Sequence, residues 1–447
     1  MLQLIILLLG LAGITYICYR LNDGAVLSPQ FAFAACFIPQ TAYAFFFINY
    51  WSIDLSYKTV GIVLFGAAWF AAVSFFIAWL FNKRGVLMPP TQPIGKTDNS
   101  ICCSKWHLWA FLALQVITLV WTLGFLINVY GKFDIVSAIS HFNDVNKFSS
   151  ETIELPFILG KLKILSIASG YIFSYLLFHG IINKYATHRI LIVLNILFCF
   201  VNSLITGSRT DLFQMLCAFV VQFYFIYGKA YGWKIKISFK AGALLAGAAL
   251  LLVFSFQGLG NLLGRGDTRN VFEYIGIYLS AELKNLDTFV REGQFGAPIE
   301  RWQTLIAVVN LVGQRFGMPH LVHKFDLPFK TVNGRDLGNV ATTFYAFLYD
   351  GGFWGVVIFV AFMAVICQVV YRFCTRKTKN NSALSVSTVI YSYIFFTIVF
   401  SFFSNKFYEH IFSPYFVYLI VFWLLLKVYF EYFTIDRVKE IFFKIKK

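Results

Sequence analysis

Long apolar runs constrain this chain more than any other feature of its sequence. Eleven stretches are almost wholly apolar and about long enough to cross ~30 Å of hydrocarbon as helices, which takes about 20 residues. They lack the alternation of a membrane β-strand, and lipid forces backbone polar groups to pair within each segment. We therefore expect an all-α polytopic integral membrane protein with about 11 transmembrane helices. The expected spans lie near residues 2–19, 29–49, 59–81, 107–130, 156–180, 189–206, 212–227, 241–258, 353–372, 385–403 and 412–433.

Composition excludes a water-soluble fold. Of the 447 residues, 59% are hydrophobic and 13% are charged, with a mean hydropathy of +0.71. Soluble domains carry about 45–50% apolar and about 25% charged residues, so a soluble fold of this length has no interior large enough for so much apolar surface. The first run, 2–19, has no basic residues before it and no small-residue cleavage site. We expect it to be a span rather than a signal peptide.

The distribution of Lys and Arg predicts the orientation. With the C-terminus in the cytoplasm, the cytoplasmic segments hold 20 Lys and Arg residues and the short external loops hold five. This asymmetry follows the positive-inside rule. The net charge of +16 therefore does not imply a nucleic-acid partner. The partner that it implies is membrane lipid, with the basic tail 434–447 against anionic head groups.

One segment, 259–338, breaks the pattern of spans. In this orientation it is an external loop of about 80 residues, whereas the next longest external connection, 131–155, has about 25. Long connections in compact proteins are usually functional. The expected organisation is spans 1–8 in 1–258, the large loop, a re-entrant or interfacial helix with spans 9–11 in 339–433, and the cytoplasmic tail.

The large loop contains two stretches with helical apolar spacing. Apolar residues recur at this spacing in 271–290 and again near 299–316, which predicts two amphipathic helices. These helices either pack on the bundle and the lipid interface or contact substrate directly.

After the loop, the sequence is too long for one simple crossing. The stretch 338–349 predicts a short helix with Asn339 as its N-cap, and Asp350-Gly351-Gly352 predicts a break before the ninth span. We expect a short helix that rests in or re-enters the outer leaflet, because irregular backbone at that depth lines a cavity or is buried in protein. A helix N-terminus here favours an anionic group.

A second polar point lies in the turn Gly207–Asp211, between spans six and seven. Arg209 in so short an external turn is well placed to bind phosphate, because the planar guanidinium matches the geometry of phosphate oxygens. The structural alternative is an Arg209 that snorkels to the interface and pairs with Asp211.

Several classes of chemistry are missing from the sequence. It has no Walker sequence, no Gly-rich dinucleotide fingerprint and no H-E-x-x-H, and His320-x-x-His323 lacks a third metal ligand. We expect no cofactor and no metal. An external enzyme without ATP requires a substrate that arrives activated, such as a polyprenyl-diphosphate-linked sugar.

Three motifs resemble those of the Wzy-type O-antigen or oligosaccharide repeat-unit polymerases. They are the turn Gly207–Asp211, the stretch Gly334–Tyr345 and the stretch Asp350–Gly355. The layout, with a large external loop in the C-terminal half of a many-span bundle, is also similar to that family. The motifs cover roughly 25 residues and the layout covers the whole chain.

The resemblance implies a reaction and a location. The growing glycan, linked to undecaprenyl diphosphate, is transferred to a sugar hydroxyl on an incoming lipid-linked repeat unit, and the lipid diphosphate leaves. It implies the bacterial inner membrane, an active site that faces the periplasm, lipid-linked oligosaccharide substrates and a polysaccharide chain-length regulator as a partner.

Site residues follow from what this reaction needs. Arginines stabilise the charge on the leaving diphosphate, a carboxylate or His accepts the hydroxyl proton, and polar or aromatic side chains hold the sugar. The candidates for the clamp are Arg209 and Arg335, then Arg265 and Arg269. The candidates for the base are Asp336, His323 and His320. The candidates for sugar ligands are Asn339, Thr342, Tyr345 and Asp350.

Each kind of candidate has a structural alternative. In these alternatives, Asp336 only pairs with Arg335 or caps the next helix. His320 beside Pro319 is then a loop histidine with its hydrogen bonds satisfied, and Asp350 is a turn residue.

Three rival functions use a similar architecture. An O-antigen ligase shares most of the chemistry and differs in its acceptor. A lipid-linked oligosaccharide flippase requires polar residues around a midplane cavity and an internal repeat, neither of which the sequence displays. A membrane acyltransferase requires a catalytic His motif that we do not find.

Overall fold

The structure is a computed structural model of the chain. It describes residues 1–83, 104–148, 153–184, 188–206, 209–231, 233, 270–293, 302–322, 329–375 and 384–432.

The described residues are overwhelmingly helical, which confirms the all-α class. Eight helical stretches are long and apolar enough to cross a membrane, and two shorter apolar helices accompany them. The eighth expected span, 241–258, and the tail 434–447 lie outside the described residues, so the total of 11 spans stays a prediction. The eight long stretches are Leu2–Leu21, Pro29–Phe47, Tyr57–Asn82, Lys105–Tyr130, Phe157–Asn183, Thr210–Tyr231, Thr343–Thr375 and Pro414–Glu431, and the shorter ones are Arg189–Leu204 and Val386–Phe402.

The individual helices of the N-terminal part are α1 to α9. The stretch 29–47 is divided at Cys36 because Pro39 has no N–H to donate and its ring crowds the carbonyl of Ala35. These helices are α1 (Leu2–Leu21), α2 (Pro29–Ala35), α3 (Phe37–Ala44), α4 (Tyr57–Lys83), α5 (Lys105–Tyr130), α6 (Ile135–Phe148), α7 (Phe157–Asn183), α8 (Arg189–Leu204) and α9 (Arg209–Tyr231).

The C-terminal part holds the remaining helices and one small hairpin. The helix expected over 271–290 is present as two helices, because the backbone at Ser280 leaves the helical region at φ −138°. The elements are α10 (Val271–Leu279), α11 (Ala281–Glu292), α12 (Ile306–Arg315), β1 (Thr331–Val332), β2 (Arg335–Asp336), α13 (Thr343–Thr375), α14 (Val386–Val399), α15 (Lys406–Ile411) and α16 (Pro414–Tyr432).

The chain divides into two compact units. Unit 1 comprises Met1–Leu87, Thr268–Phe373 and Ile394–Phe416. Unit 2 comprises Met88–Asp267, Cys374–Tyr393 and Val417–Lys447.

Polar side chains join three helices inside unit 2. Gln115 of α5 donates to the Ser169 hydroxyl of α7 at 3.2 Å. Asn195 and Asn202 of α8 donate to the carbonyls of Leu108 and Gln115, each at 3.1 Å. Such bonds hold helices together where surrounding lipid gives no hydrophobic drive for association.

Unit 1 is built around phenylalanine rings. Phe33 of α2 stacks on Phe70 of α4 with ring centroids 4.2 Å apart, and Phe344 of α13 stacks on Phe37 at 5.5 Å. A Cβ at Gly66 would overlap the Phe344 ring, so α4 has a glycine where α13 packs closest. This packing fixes the start of α13 against the N-terminal helices of the unit.

The expected break inside α13 is confirmed. Gly351 and Gly352 have non-helical dihedrals, and Gly352 has φ +55°, which strongly favours glycine. A Cβ at Gly355 would overlap the Phe347 carbonyl oxygen across the break. The glycines therefore allow the two arms of α13, 343–350 and 353–375, to meet closely.

Candidate functional site

One helix of the large loop, α11, is fixed to the start of α4. The buried carboxylate of Asp287 accepts the Ser56 N–H and the Thr59 hydroxyl, both at 2.7 Å, and Arg291 Nε at 2.7 Å. Buried carboxylates are tolerated when they are paired and hydrogen-bonded in this way. Asp287 therefore attaches α11 to the start of α4 within unit 1.

The same helix also holds the segment that follows the hairpin. Asn285 Nδ2 donates to the carbonyls of Leu337 and Val340 at 3.1 and 2.7 Å. Gly338 between them has φ +71°, a left-handed conformation. These contacts explain why 337–342 is not helical, and they correct the expected helix start: α13 begins at Thr343, and Asn339 is not its N-cap.

The hairpin presents Arg335 at its edge. Strands β1 and β2 are antiparallel, with Thr331 opposite Asp336 and Val332 opposite Arg335. Asn333 and Gly334 both have positive φ, as the tight turn between paired strands requires. The Arg335 guanidinium lies over the Tyr50 ring, 3.5 Å from its centroid, and its side chain is exposed.

A carboxylate at the break in α13 organises the segment before α12. Asp350 is buried and accepts the N–H groups of Gln303 and Thr304 at 2.9 and 2.6 Å. Asn405 Nδ2 donates to the Thr304 carbonyl at 3.0 Å. Three chain segments that are distant in sequence are therefore held together.

A cavity of about 170 Å³ lies where these segments meet, within unit 1. Its lining includes three amide side chains, three hydroxyl-bearing side chains and one ion pair. These residues are Gln303, Asn339, Thr342, Tyr345, Ser404, Asn405, Lys406 and Glu409, together with Val340, Ala341 and Ala346.

Three of the lining residues have polar oxygens without a hydrogen-bond partner in the described part of the chain. They are Thr342 Oγ1, Ser404 Oγ and Asn405 Oδ1. All three side chains are more than nine-tenths buried. Buried polar atoms are nearly always paired, so unpaired ones on a cavity wall indicate a site for a polar ligand or water.

An ion pair between Lys406 and Glu409 of α15 lies on the cavity wall. Lys406 Nζ lies 2.6 Å from Glu409 Oε2, one helical turn away. Burial lowers the pKa of the neighbouring His410 to about 3, and the Lys406 charge acts in the same direction. His410 is therefore a neutral imidazole at physiological pH. The carboxylate on the described part of the cavity wall belongs to Glu409.

Glu282 is a further buried carboxyl group of unit 1 and is not part of the cavity lining. Both Glu282 oxygens lack a hydrogen-bond partner among the described residues, and burial raises the pKa of Glu282 well above its ordinary value. The Gln40 side chain lies within reach of Glu282, while its Nε2 donates to the Phe402 carbonyl at 2.9 Å.

Three of the four expected sugar ligands line the cavity: Asn339, Thr342 and Tyr345. The Tyr345 ring also packs against Phe289, with centroids 4.6 Å apart. The fourth, Asp350, does not line the cavity, because both of its oxygens are engaged by backbone N–H groups. Asp350 instead fixes the backbone of Gln303 and Thr304.

Two of the three expected bases, Asp336 and His320, lie in the described part of the chain, and neither lies at the cavity. Asp336 lies exposed in β2, and His320 lies exposed in a 3-10 turn, Pro319–Leu321. Neither residue is part of the cavity lining. His323 lies outside the described residues.

The expected arginines are divided between the units. Arg335 is in unit 1, four residues before Asn339 in the chain. Arg209 begins α9 in unit 2, and its side chain is outside the described part. Arg265 and Arg269 lie outside the described residues.

Sequence reasoning missed the segment Ser404–Glu409 and Gln303. In the sequence they belong to a short connection before the last span and to the middle of the large loop. One signal was present: a short connection with an amide and two opposite charges at i and i+3, Asn405, Lys406 and Glu409, is unusual between two apolar helices.

The arrangement is suited to a polar, uncharged ligand that carries several hydroxyls. Among the described residues, no group of three or more His, Cys, Asp or Glu side chains is placed to hold a metal ion. In comparisons with known proteins, no family model, no curated protein and no solved structure matches the chain.

Proposed function

We propose that the chain is a glycosyltransferase that polymerises undecaprenyl-diphosphate-linked oligosaccharide repeat units on the periplasmic side of the bacterial inner membrane. The resemblance of its motifs to Wzy-type polymerases and its apolar helices support this proposal. The observation that carries it is the polar cavity of unit 1, which is lined by residues from one of those motifs, Gly334–Tyr345, and by residues of α15.

The cavity provides the groups that hold and activate an acceptor sugar. Amide and hydroxyl side chains bind sugar hydroxyls, and the Tyr345 ring offers an aromatic surface. Glu409 is the base: its carboxylate accepts the proton of the attacking hydroxyl, and Lys406 keeps the carboxylate in place.

The reaction forms one glycosidic bond and breaks one. The acceptor oxygen attacks the anomeric carbon of the donor, and the bond from that carbon to the diphosphate oxygen breaks. The hydroxyl proton passes to Glu409 and then to water. The departing lipid diphosphate keeps the bonding electron pair as negative charge.

Arg335 stabilises the leaving diphosphate in this proposal. Its guanidinium is exposed on a hairpin that Asn285 and the Asn333–Ser52 hydrogen bond, 3.0 Å long, hold in position. Four extended residues reach at most about 14 Å, so Arg335 lies within about 14 Å of Asn339, which lines the cavity. Arg209, Arg265 and Arg269 remain predicted members of the clamp, and a chain-length regulator remains a predicted partner.

The test uses purified full-length protein in detergent with a defined undecaprenyl-diphosphate-linked repeat unit, without nucleotide or added metal. We expect a ladder of products at repeat-unit spacing on a gel. Arg335→Ala is expected to reduce the rate at least about 100-fold, since such charge-stabilising groups contribute about that much. The matched control is Arg315→Ala, which removes an exposed arginine of α12.

Two results would contradict the proposal. One is the absence of a ladder from a verified cognate substrate. The other is an equal loss of rate in Arg315→Ala and Arg335→Ala, which would remove the assigned role of Arg335.

A further inference from the structure

We infer that the cavity of unit 1 takes a single uncharged pyranose ring, and that the Lys406–Glu409 pair excludes acidic sugars from it. This inference rests on the proposed function and narrows it to one class of acceptor sugar. It is carried by the size of the cavity, by its unpaired oxygens and by its charges.

The size of the cavity sets the number of rings. A cavity of ~150 Å³ holds one benzene molecule. At about 170 Å³ this cavity has space for one six-membered ring, with its substituents directed toward the wall or out of the opening. A second ring would extend beyond the lining, through the opening.

The unpaired oxygens set the kind of ligand. Thr342 and Ser404 hydroxyls both donate and accept, and Asn405 Oδ1 accepts. Asn405 Nδ2 is already used on the Thr304 carbonyl. A partner for this set needs both donors and acceptors on a small ring, which describes the hydroxyls of a sugar and excludes an apolar ligand.

The charges set the class of sugar. Among the described residues, the lining has one cation and one anion, Lys406 and Glu409, and these lie 2.6 Å apart. Two further carboxylates, Asp350 and Glu292, act electrostatically on Tyr345 at the wall. A carboxylate or phosphate on the ligand would meet these anions, and the one cation of the lining is already paired. An uncharged ring meets no such penalty.

The first experiment measures binding without catalysis. Saturation-transfer NMR on the full-length protein in nanodiscs would compare methyl glycosides of glucose, galactose and N-acetylglucosamine with methyl glucuronide at millimolar concentrations. We expect saturable signals from at least one neutral glycoside and at least about tenfold weaker binding of the glucuronide.

A matched pair of variants assigns that binding to the cavity. Thr342→Val removes a buried hydroxyl that has no partner and lies on the lining, and Thr343→Val removes one that has no partner and lies off it. Neither change breaks a hydrogen bond of the described chain, so both variants are expected to fold. Only Thr342→Val is expected to weaken neutral-sugar binding, by about three- to tenfold for one lost hydrogen bond.

A charge change tests the selectivity. Glu409→Gln leaves Lys406 unpaired, so we expect glucuronide binding to improve by about tenfold through a charge-assisted hydrogen bond. Lys406→Gln is expected to give no such gain. Glu154→Gln, an exposed carboxylate of unit 2, is the control and is expected to bind as the wild type does.

The outcomes separate this inference from the proposed function. Equal or tighter glucuronide binding in the wild type, no saturable neutral glycoside, or equal effects of Thr342→Val and Thr343→Val would each overturn the inference. A product ladder together with any of these results would leave the transferase standing. Neutral-sugar binding assigned to the cavity, with no ladder, would support the site and contradict polymerisation.

Discussion

The ammonium of Lys406 lies 2.6 Å from the carboxylate of Glu409, and both side chains line the same cavity. In the proposed reaction, Lys406 holds the Glu409 carboxylate next to the attacking sugar hydroxyl. Removal of a general base typically costs a factor of about 10² to 10⁴ in rate. We therefore expect Glu409→Gln to lower the polymerisation rate at least about 100-fold, measured from the appearance of the ladder, with the thermal unfolding temperature nearly unchanged. Normal rates in this variant, or an equal loss in Glu154→Gln, would exclude Glu409 as the base.

Glu282 is expected to be neutral in the folded protein and to donate a hydrogen bond to Gln40 Oε1. The Phe402 carbonyl fixes the Gln40 amide with Nε2 toward it, so Gln40 Oε1 is left without a donor among the described residues. A protonated Glu282 donates its O–H to Gln40 Oε1 and gives that oxygen a donor. Because burial raises the pKa of Glu282 above its unfolded value of 4.5, its stabilising contribution is present below about pH 4.5 and is lost as pH rises.

Glu282→Gln keeps the shape and the donor but cannot ionise. We expect it to stabilise the protein at pH 7 and to do so less at pH 5, because the free energy of keeping the wild-type carboxyl protonated rises with pH above its unfolded pKa. The measurement is thermal unfolding in detergent across pH 5 to 8. A destabilised variant at every pH would show that the charged carboxylate is the native form.

His410 has the opposite pH dependence. Burial lowers its pKa to about 3 from 6.5, so the unfolded chain binds the proton first as pH falls. Stability from this group is complete above about pH 6.5 and is lost as pH falls toward 3, by about 1–2 kcal/mol at pH 5. His410→Asn is expected to reduce the difference in unfolding temperature between pH 7.5 and pH 5. An unchanged difference would contradict the lowered pKa of His410.

Gly355 is expected to tolerate no side chain. A Cβ at this position would overlap the Phe347 carbonyl oxygen, and a backbone atom cannot swing away as a side chain can. Gly355→Ala is expected to cost about 3 kcal/mol or more, or to abolish folding. Gly61→Ala in α4 is the control, because nothing lies within 4 Å of its Cβ position. If both variants unfold at the wild-type temperature, the close approach of the two arms of α13 is wrong.

Asp287 is expected to matter far more than Asp54, although both pair with Arg291. Asp287 is buried with three hydrogen bonds, whereas the Asp54 side chain is 72% exposed and 3.5 Å from the guanidinium. Asp287→Ala leaves buried donors unpaired and is expected to cost about 2–4 kcal/mol. Asp54→Ala is expected to cost less than about 1 kcal/mol, as exposed pairs do. Similar losses in the two variants would contradict this assignment of the anchor.

The spans were predictable because each is a local property of the sequence. Twenty consecutive apolar residues need no distant partner to be recognised, and a Gly-Gly pair after Asp350 marks a break wherever the helix lies. The division at Ser280 was not predictable, because apolar spacing continues through it. Helix α6 was not predicted, because its 14 residues are too polar to resemble a span.

Only some of the residues that line the cavity were predictable from the sequence. Asn339, Thr342 and Tyr345 were candidates because they belong to one motif. Glu409, Asn405 and Gln303 reach the same wall through contacts across about 40 to 100 residues of chain, such as Asp350 with Gln303 and Asn405 with Thr304. A sequence pattern describes neighbours along the chain, and these contacts depend on how the helices pack.

Helix α11 carries its two anchors on opposite sides. Asn285 and Asp287 are two residues apart, which is about 200° around a helix of 3.6 residues per turn. One holds the carbonyls of Leu337 and Val340, and the other holds the first turn of α4. The helix therefore resists rolling about its own axis in either direction. A ligand that enters the cavity meets a wall already in place, and its binding is not weakened by the entropy of ordering residues 337–340.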